Sequence, residues 1–380
     1  MLSTVITGFA KTQKGITLTQ TPGVTLFKAY SGYPPCFRQP LIVSLDATHL
    51  IVFAEGRNNS YCSGSADGSN SSIHSRFSSD GGVTWSEMKE LYHAPPMPDY
   101  LSAVADPSTG SVHLFIQTSP NLQLTTLDGG KTFSAPKPVS ITTPTGYSAT
   151  PGVATGIAIS GDLCSEPTCS GTTGRLVVAW VCHKTAKSEN RLRLGLTDVS
   201  CKGCFSCLAT SDDHGQTWSI SAVSTQEGSR EASISQLDAK VYPGSSTSAV
   251  IYSSERNMGA SSGIRWHAIS TDSGKSFSNF GLDPTLPDGK TANWTGICAG
   301  LARVDNTLLF STPMATGARA DLGLYRSTDE SSTWSSGLLF SPGPAGYSDM
   351  TSLNETHAAL VWENGEEEFS QQINFVTIRV

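Results

Sequence analysis

The sequence predicts an all-β protein of the propeller type, and three observations predict it. An octapeptide recurs five times, the segments between its copies read as short strands, and no long stretch keeps the 3.6-residue apolar period of a helix. The first copy is Ser78-Ser79-Asp80-Gly81-Gly82-Val83-Thr84-Trp85. It returns as Thr126–Phe133, Ser211–Trp218 and Ser270–Phe277, and in degenerate form as Ser327–Trp334, where Ser332 is read as standing in place of Gly. The chemistry is that of a hairpin turn: an Asp accepts from backbone N–H groups further on, a Gly takes positive φ, and an aromatic opens the next strand. Repeats at this spacing belong to propellers or solenoids.

The strands come next. Leu41–Val43, His49–Ala54, Val112–Ile116 and Leu176–Val181 are short and rich in β-branched and aromatic residues, and Gly, Pro, Ser and Asn clusters separate them. A closed ring of blades leaves only short, protected sheet edges, which suits so many strands. The segment Gln372–Thr377 is expected to help close the ring.

Composition narrows the function classes. With 38% hydrophobic and 15% charged residues and a net charge of -7, the chain has the material for a large core and no basic run to meet nucleic acid. No stretch approaches the roughly 18 apolar residues of a membrane span. The N-terminal residues lack the basic start and apolar run of a signal peptide. Acceptor tripeptides at Asn58, Asn70, Asn293 and Asn354 favour the secretory pathway or the extracellular space. Of nine cysteines, six fall between Cys164 and Cys207. The run Cys201-Lys202-Gly203-Cys204-Phe205-Ser206-Cys207 reads either as a zinc site or as part of a disulfide-stapled insertion, the second being favoured.

The octapeptide resembles the Asp-box of the sialidase superfamily, and the resemblance runs from about Gly32 to the C-terminus. It implies six four-stranded antiparallel blades, an N-terminal extension or first-blade lead-in over residues 1–25 and a catalytic propeller over 26–380, with a Cys-rich insertion at about 160–208. Asp-boxes also occur in non-catalytic propellers, so function has to come from the site.

A sialic acid carries a carboxylate on its anomeric carbon, and guanidinium groups suit that permanent anion. The sialidases use three arginines. Arg38, in Phe37-Arg38-Gln39-Pro40, resembles the family's Phe/Tyr-Arg-Ile-Pro signature, with Gln39 replacing Ile. Arg256 follows Ser253-Ser254-Glu255, and Arg319 lies in Pro313-Met314-Ala315-Thr316-Gly317-Ala318-Arg319. By the same resemblance Tyr347, in Gly346-Tyr347-Ser348, is the nucleophile and Glu231 its base. A neutral phenol avoids the repulsion that a carboxylate nucleophile would meet, and a phenol needs a base. The general acid/base falls on Asp67, the one Asp between Arg57 and Asp80, in a loop longer than usual after Phe53-Ala54-Glu55-Gly56-Arg57. Arg57 and Asp106 are expected on the O4 side of the sugar, and Glu363 behind Arg38. A disulfide between Cys36 and Cys62 would pin the acid/base loop.

The expected activity is therefore exo-α-sialidase hydrolysis of sialylated glycans with retention. It is expected to need no metal or cofactor and to come from a monomer. A trans-sialidase or a hydrolase of deaminated sialic acid stays open within the enzyme class, and a non-catalytic Asp-box binding module outside it.

Overall fold

The computed structural model describes residues 11–13, 16–20, 23–29, 36–57, 62, 71–94, 98, 100–185, 201–242, 247–258, 263–289 and 295–380. These residues are almost wholly strand and turn; among them only the short 3-10 turn Gly161–Leu163 and Thr185 are helical. No helix is long and apolar enough to cross a membrane.

The strands form antiparallel meanders, as a propeller requires. Cys36–Ser44, Leu50–Arg57, Ser71–Ser78 and Lys89–Tyr92 make one four-stranded sheet, and Ser229–Leu237, Val250–Asn257, Ile264–Ser270 and Ser278–Pro287 make another. Between them come a sheet led by Leu101–Asp106 and one led by Tyr147–Pro151 and Leu176–Lys184. Gly300–Val304, Thr307–Pro313 and Ala320–Ser327 open the last.

Among the described residues the hydrogen-bonded sheets number five, where six separate blades were expected. The difference lies in one strand. Leu338–Asn354 is 17 residues long. Its first part pairs with Ala320–Ser327, placing Leu338 opposite Leu324. Its second pairs with His357–Asn364, placing Ala345 opposite Asn364. Two antiparallel units are thereby fused into a nine-stranded sheet. The ring closes where Gln372–Arg379 pairs with Val24–Lys28, so the expected closing segment lies in this sheet.

Each octapeptide makes the turn its chemistry dictates. The Ser78 hydroxyl donates to Asp80, and Asp80 accepts the Thr84 N–H at 2.9 Å. The same bonds recur at Thr126–Asp128–Thr132, Ser211–Asp213–Thr217, Ser270–Asp272–Ser276 and Ser327–Asp329–Thr333. Hydrogen bonds from Thr84 and Ser78 hold the Asp80 carboxyl down at about 2. Gly82 has φ +90°, and a Cβ there would overlap the Phe375 ring. Trp85 packs edge-on against that ring at 4.9 Å, joining two blades. In the fifth copy the residue bonded to Ser327, as Gly82 is to Ser78, is Ser331, at φ +64°. Ser331, not Ser332, therefore replaces the glycine, at a cost of about 1–2 kcal/mol for the left-handed backbone.

The cysteines pair as disulfides: Cys36–Cys62, Cys164–Cys169, Cys182–Cys207 and Cys201–Cys204, with Cys298 free and buried. The zinc alternative thus gives way to the stapled one at these residues.

Two buried carboxyls behind the site make stability depend on pH. Burial pushes Glu255 up to about 7, against hydrogen bonds from Ser224, Ser229 and Gln226. It pushes Asp349 to about 6, against Thr155 and the Ile42 N–H. Both keep a proton in the fold that the unfolded chain releases near pH 4, so their stabilisation is complete below that pH and is lost as pH rises to about 7. Glu231, held at about 2, acts oppositely and loses its contribution below its unfolded value. Thermal stability is expected to peak near pH 5 and to fall by about 1 kcal/mol per pH unit per group towards pH 7. Glu255→Gln should flatten that alkaline slope in a melting series. An unchanged slope would show that Glu255 is already ionised in the fold.

Candidate active site

Three strands supply most of the candidate site, and each is irregular at the residue that matters. The pairing register shifts between Arg38 and Leu41, between Arg230 and Ser233, and between Ala345 and Ser348. Gln39 has φ +55° and Glu231 φ +44°. Such bulges re-aim side chains at the cost of backbone strain. Here they turn Arg38, Glu231 and Tyr347 towards one another.

At the centre the Tyr347 hydroxyl donates to Glu231 Oε2 at 3.0 Å. One Arg256 nitrogen donates to both, reaching Glu231 Oε2 at 2.5 Å and the Tyr347 oxygen at 2.8 Å. The other Arg256 nitrogens bond to the Thr295 carbonyl, which fixes the guanidinium. Burial works to raise the Glu231 carboxyl, but Arg256 and Arg230 overcome it and hold Glu231 at about 2. Burial also raises the Tyr347 phenol, with Arg256 opposing. The resting pair is therefore a carboxylate accepting a hydrogen bond from a neutral phenol.

Three guanidiniums surround that phenol. Arg319, Arg38 and Arg256 lie 5.0, 5.3 and 6.0 Å from the Tyr347 ring centre. Arg38 donates to Glu363 Oε1 at 2.7 Å. The same carboxylate accepts the backbone N–H groups of Gln39 and Tyr347. Glu363 thus ties one arginine to the backbone of the tyrosine. Arg319 is half-buried, and burial together with Arg38 and Arg256 lowers its proton affinity. Three like charges held this close have the chemistry to receive an anion.

The structure brings together six of the residues singled out from sequence: Arg38, Arg256, Arg319, Tyr347, Glu231 and Glu363. Arg57 joins them at the edge. It is paired with buried Glu55, and its guanidinium reaches the Cys62 carbonyl that Arg38 also contacts. Asp67 lies outside the described residues.

Asp106 does not join them. Its carboxylate accepts from Ser108 and pairs at 2.7 Å with His214, a residue of the third octapeptide turn. Tyr100, just before the same strand, touches Arg230 beside Glu231. Six residues of extended chain separate the two, about 20 Å. Asp106 is therefore a turn residue on the opposite face, and its place on the O4 side is withdrawn.

Other side chains at the site had no assigned role. Phe369 lies 5.0 Å from the Arg38 guanidinium and 4.9 Å from that of Arg319, a ring face offsetting two neighbouring charges. Tyr100 and Arg230 flank Glu231. Arg230 was legible as the neighbour of Glu231. Phe369 sits in a loop with no pattern to mark it.

Ringed turns on one face and a cluster of three arginines on the other define an Asp-box propeller. The family pattern of the BNR repeat-like domain matches residues 100–360. The chain therefore belongs to that family, within the sialidase superfamily. It is 27% identical over 364 residues to a sialidase of Micromonospora viridifaciens, covering 87% of this chain and 50% of that protein. It is 27% identical over 218 residues to sialidase-3 of Mus musculus, covering 45% of this chain and 50% of that one. The chain spans about half the length of these curated relatives. Among solved structures, a Hadza microbial sialidase superposes with a TM-score of 0.72 at 19% identity, over 96% of this chain and 70% of that one. At that identity the superposition speaks to the fold.

Proposed function

We propose that the protein is a retaining exo-α-sialidase that releases terminal sialic acid from glycoconjugates through a tyrosyl-enzyme intermediate. The observation that carries this reading is the hydrogen-bonded Tyr347–Glu231–Arg256 triangle beneath three converging guanidiniums. The guanidiniums bind the sugar carboxylate and place its anomeric carbon over the Tyr347 oxygen. In the first step that oxygen bonds to the anomeric carbon, and its proton passes to Glu231. The bond to the aglycone breaks, and the leaving oxygen takes a proton from Asp67. In the second step water, giving a proton to Asp67, displaces the Tyr347 oxygen, and Glu231 returns the phenol proton. Two displacements retain the configuration. The arginines lower the barrier by positioning and by pre-set charge.

The test is release of a fluorescent aglycone from its N-acetylneuraminic acid ketoside, beside the ketoside of the deaminated acid. Turnover of the first is expected, with kcat/KM falling on the order of 10²-fold or more in Arg319→Ala as a charge-assisted carboxylate contact is lost. Turnover of the second alone would keep the mechanism and change the substrate. A folded protein that turns over neither would be a binding propeller.

A further inference from the structure

Arg230 precedes Glu231 on the bulged strand and is fixed on several sides. Its guanidinium lies 4.9 Å over the Tyr100 ring, and one nitrogen donates to the Tyr100 hydroxyl. Another nitrogen approaches Cys201 of the Cys201–Cys204 disulfide at 3.8 Å. Its Nε stands 3.3 Å from Glu231 Oε1. Neither of those two buried atoms closes a hydrogen bond, so the contact is one of charge.

The groups acting on Glu231 divide in two. On the Oε2 side, Arg256 donates to both Glu231 and Tyr347. It therefore attracts negative charge on either oxygen and biases the proton little. Arg230 touches the Oε1 side, and favours the ionised form of Glu231 over the protonated one. The buried thiol of Cys298 also feels the Glu231 charge and is itself pushed towards its neutral form by burial.

We propose that Arg230, held by Tyr100 and the Cys201–Cys204 disulfide, is a positioning residue that drives the proton from Glu231 back to Tyr347 and so speeds release of the sugar in the second step. The proposal rests on Glu231 being the base of the tyrosine nucleophile. It also gives the Cys-rich segment a part in the site. Arg230 opposes the first proton transfer and assists the second. Its removal makes the protonated form of Glu231 a weaker acid, and the tyrosyl–sugar bond becomes slower to break.

The experiment is pre-steady-state release of the fluorescent aglycone from the N-acetylneuraminic acid ketoside by wild type, Arg230→Gln, Arg230→Lys and Tyr100→Phe. In R230Q, kcat is expected to fall about tenfold, the equivalent of one pK unit on Glu231. KM should fall by more than kcat, kcat/KM should hold or rise because the first transfer is no longer opposed, and a burst of one aglycone per enzyme should appear as the intermediate accumulates. R230K keeps the charge and should lose the burst; Y100F should show a partial one. In a Glu231→Gln background, R230Q should cost nothing further. Absence of wild-type turnover would remove the reading of the site and this inference together. With wild-type turnover, equal losses in kcat and kcat/KM without a burst would overturn the inference alone. So would a full R230Q cost in the E231Q background. If R230Q does not fold, Y100F decides by the same burst.

Discussion

Tyr347→Phe is expected to lose about 10³-fold or more in kcat/KM while the protein stays folded. The substitution removes a single oxygen from a buried ring. The ring still packs beneath Arg38, Arg256 and Arg319, and Glu231 keeps its bond from Arg256. Stability should fall by about 2–3 kcal/mol, because the lost hydroxyl both donates to Glu231 and accepts from Arg256. What disappears is the atom that attacks. Binding of free sialic acid should survive, because the guanidiniums that hold its carboxylate are untouched. Rate assays beside a melting curve and a binding isotherm would separate these effects. A variant with wild-type kcat would refute the tyrosyl-enzyme route, even if the protein still proved to be a hydrolase.

Glu363→Gln should damage both stability and activity. Fully buried Glu363 has both oxygens in use: Oε1 by the Arg38 guanidinium and the Gln39 N–H, Oε2 by the Tyr347 N–H. Gly346 packs so closely on that carboxylate that a Cβ there would overlap it. The amide keeps the shape but turns an N–H₂ towards donors, and it strands the Arg38 charge in the interior. Breaking a buried pair in this way costs about 3–5 kcal/mol. For a chain of this size that lowers Tm by roughly five degrees. KM should rise as well, since Arg38 loses the partner that aims it. An unchanged Tm would mean that Arg38 is neutralised from elsewhere, and the anchoring role of Glu363 would fall.

The parts of the site that could be read from sequence share one property. Arg38, Arg256, Arg319, Tyr347 and Glu231 each carry chemistry in a short local context, and the order of those contexts along the chain supplied the rest. Asp106 misled because its local context, a strand end before Pro107, says nothing about which face of the ring that end occupies. Tyr100 lies near the chemical face and Asp106 on the other, at opposite ends of one strand. Phe369 was invisible for a related reason. Its value is a ring placed under two guanidiniums, and the chain positions of Arg38 and Phe369 are far apart.

By itself the sequence determined the propeller class, through five turns whose Ser/Thr–Asp chemistry, completed by Gly in four of them, lies within eight residues. The site residues were marked by the resemblance of their short contexts to a family's motifs. Local hydrogen bonds suffice for the turns, and short contexts for the motifs, without long-range geometry. Tertiary structure alone decided that Leu338–Asn354 serves two units, that bulges turn Arg38, Glu231 and Tyr347 inward, and that Arg230 is held between Tyr100 and a disulfide. Those depend on register and on contacts between blades, and a one-residue slip in pairing would turn each such side chain to the other face.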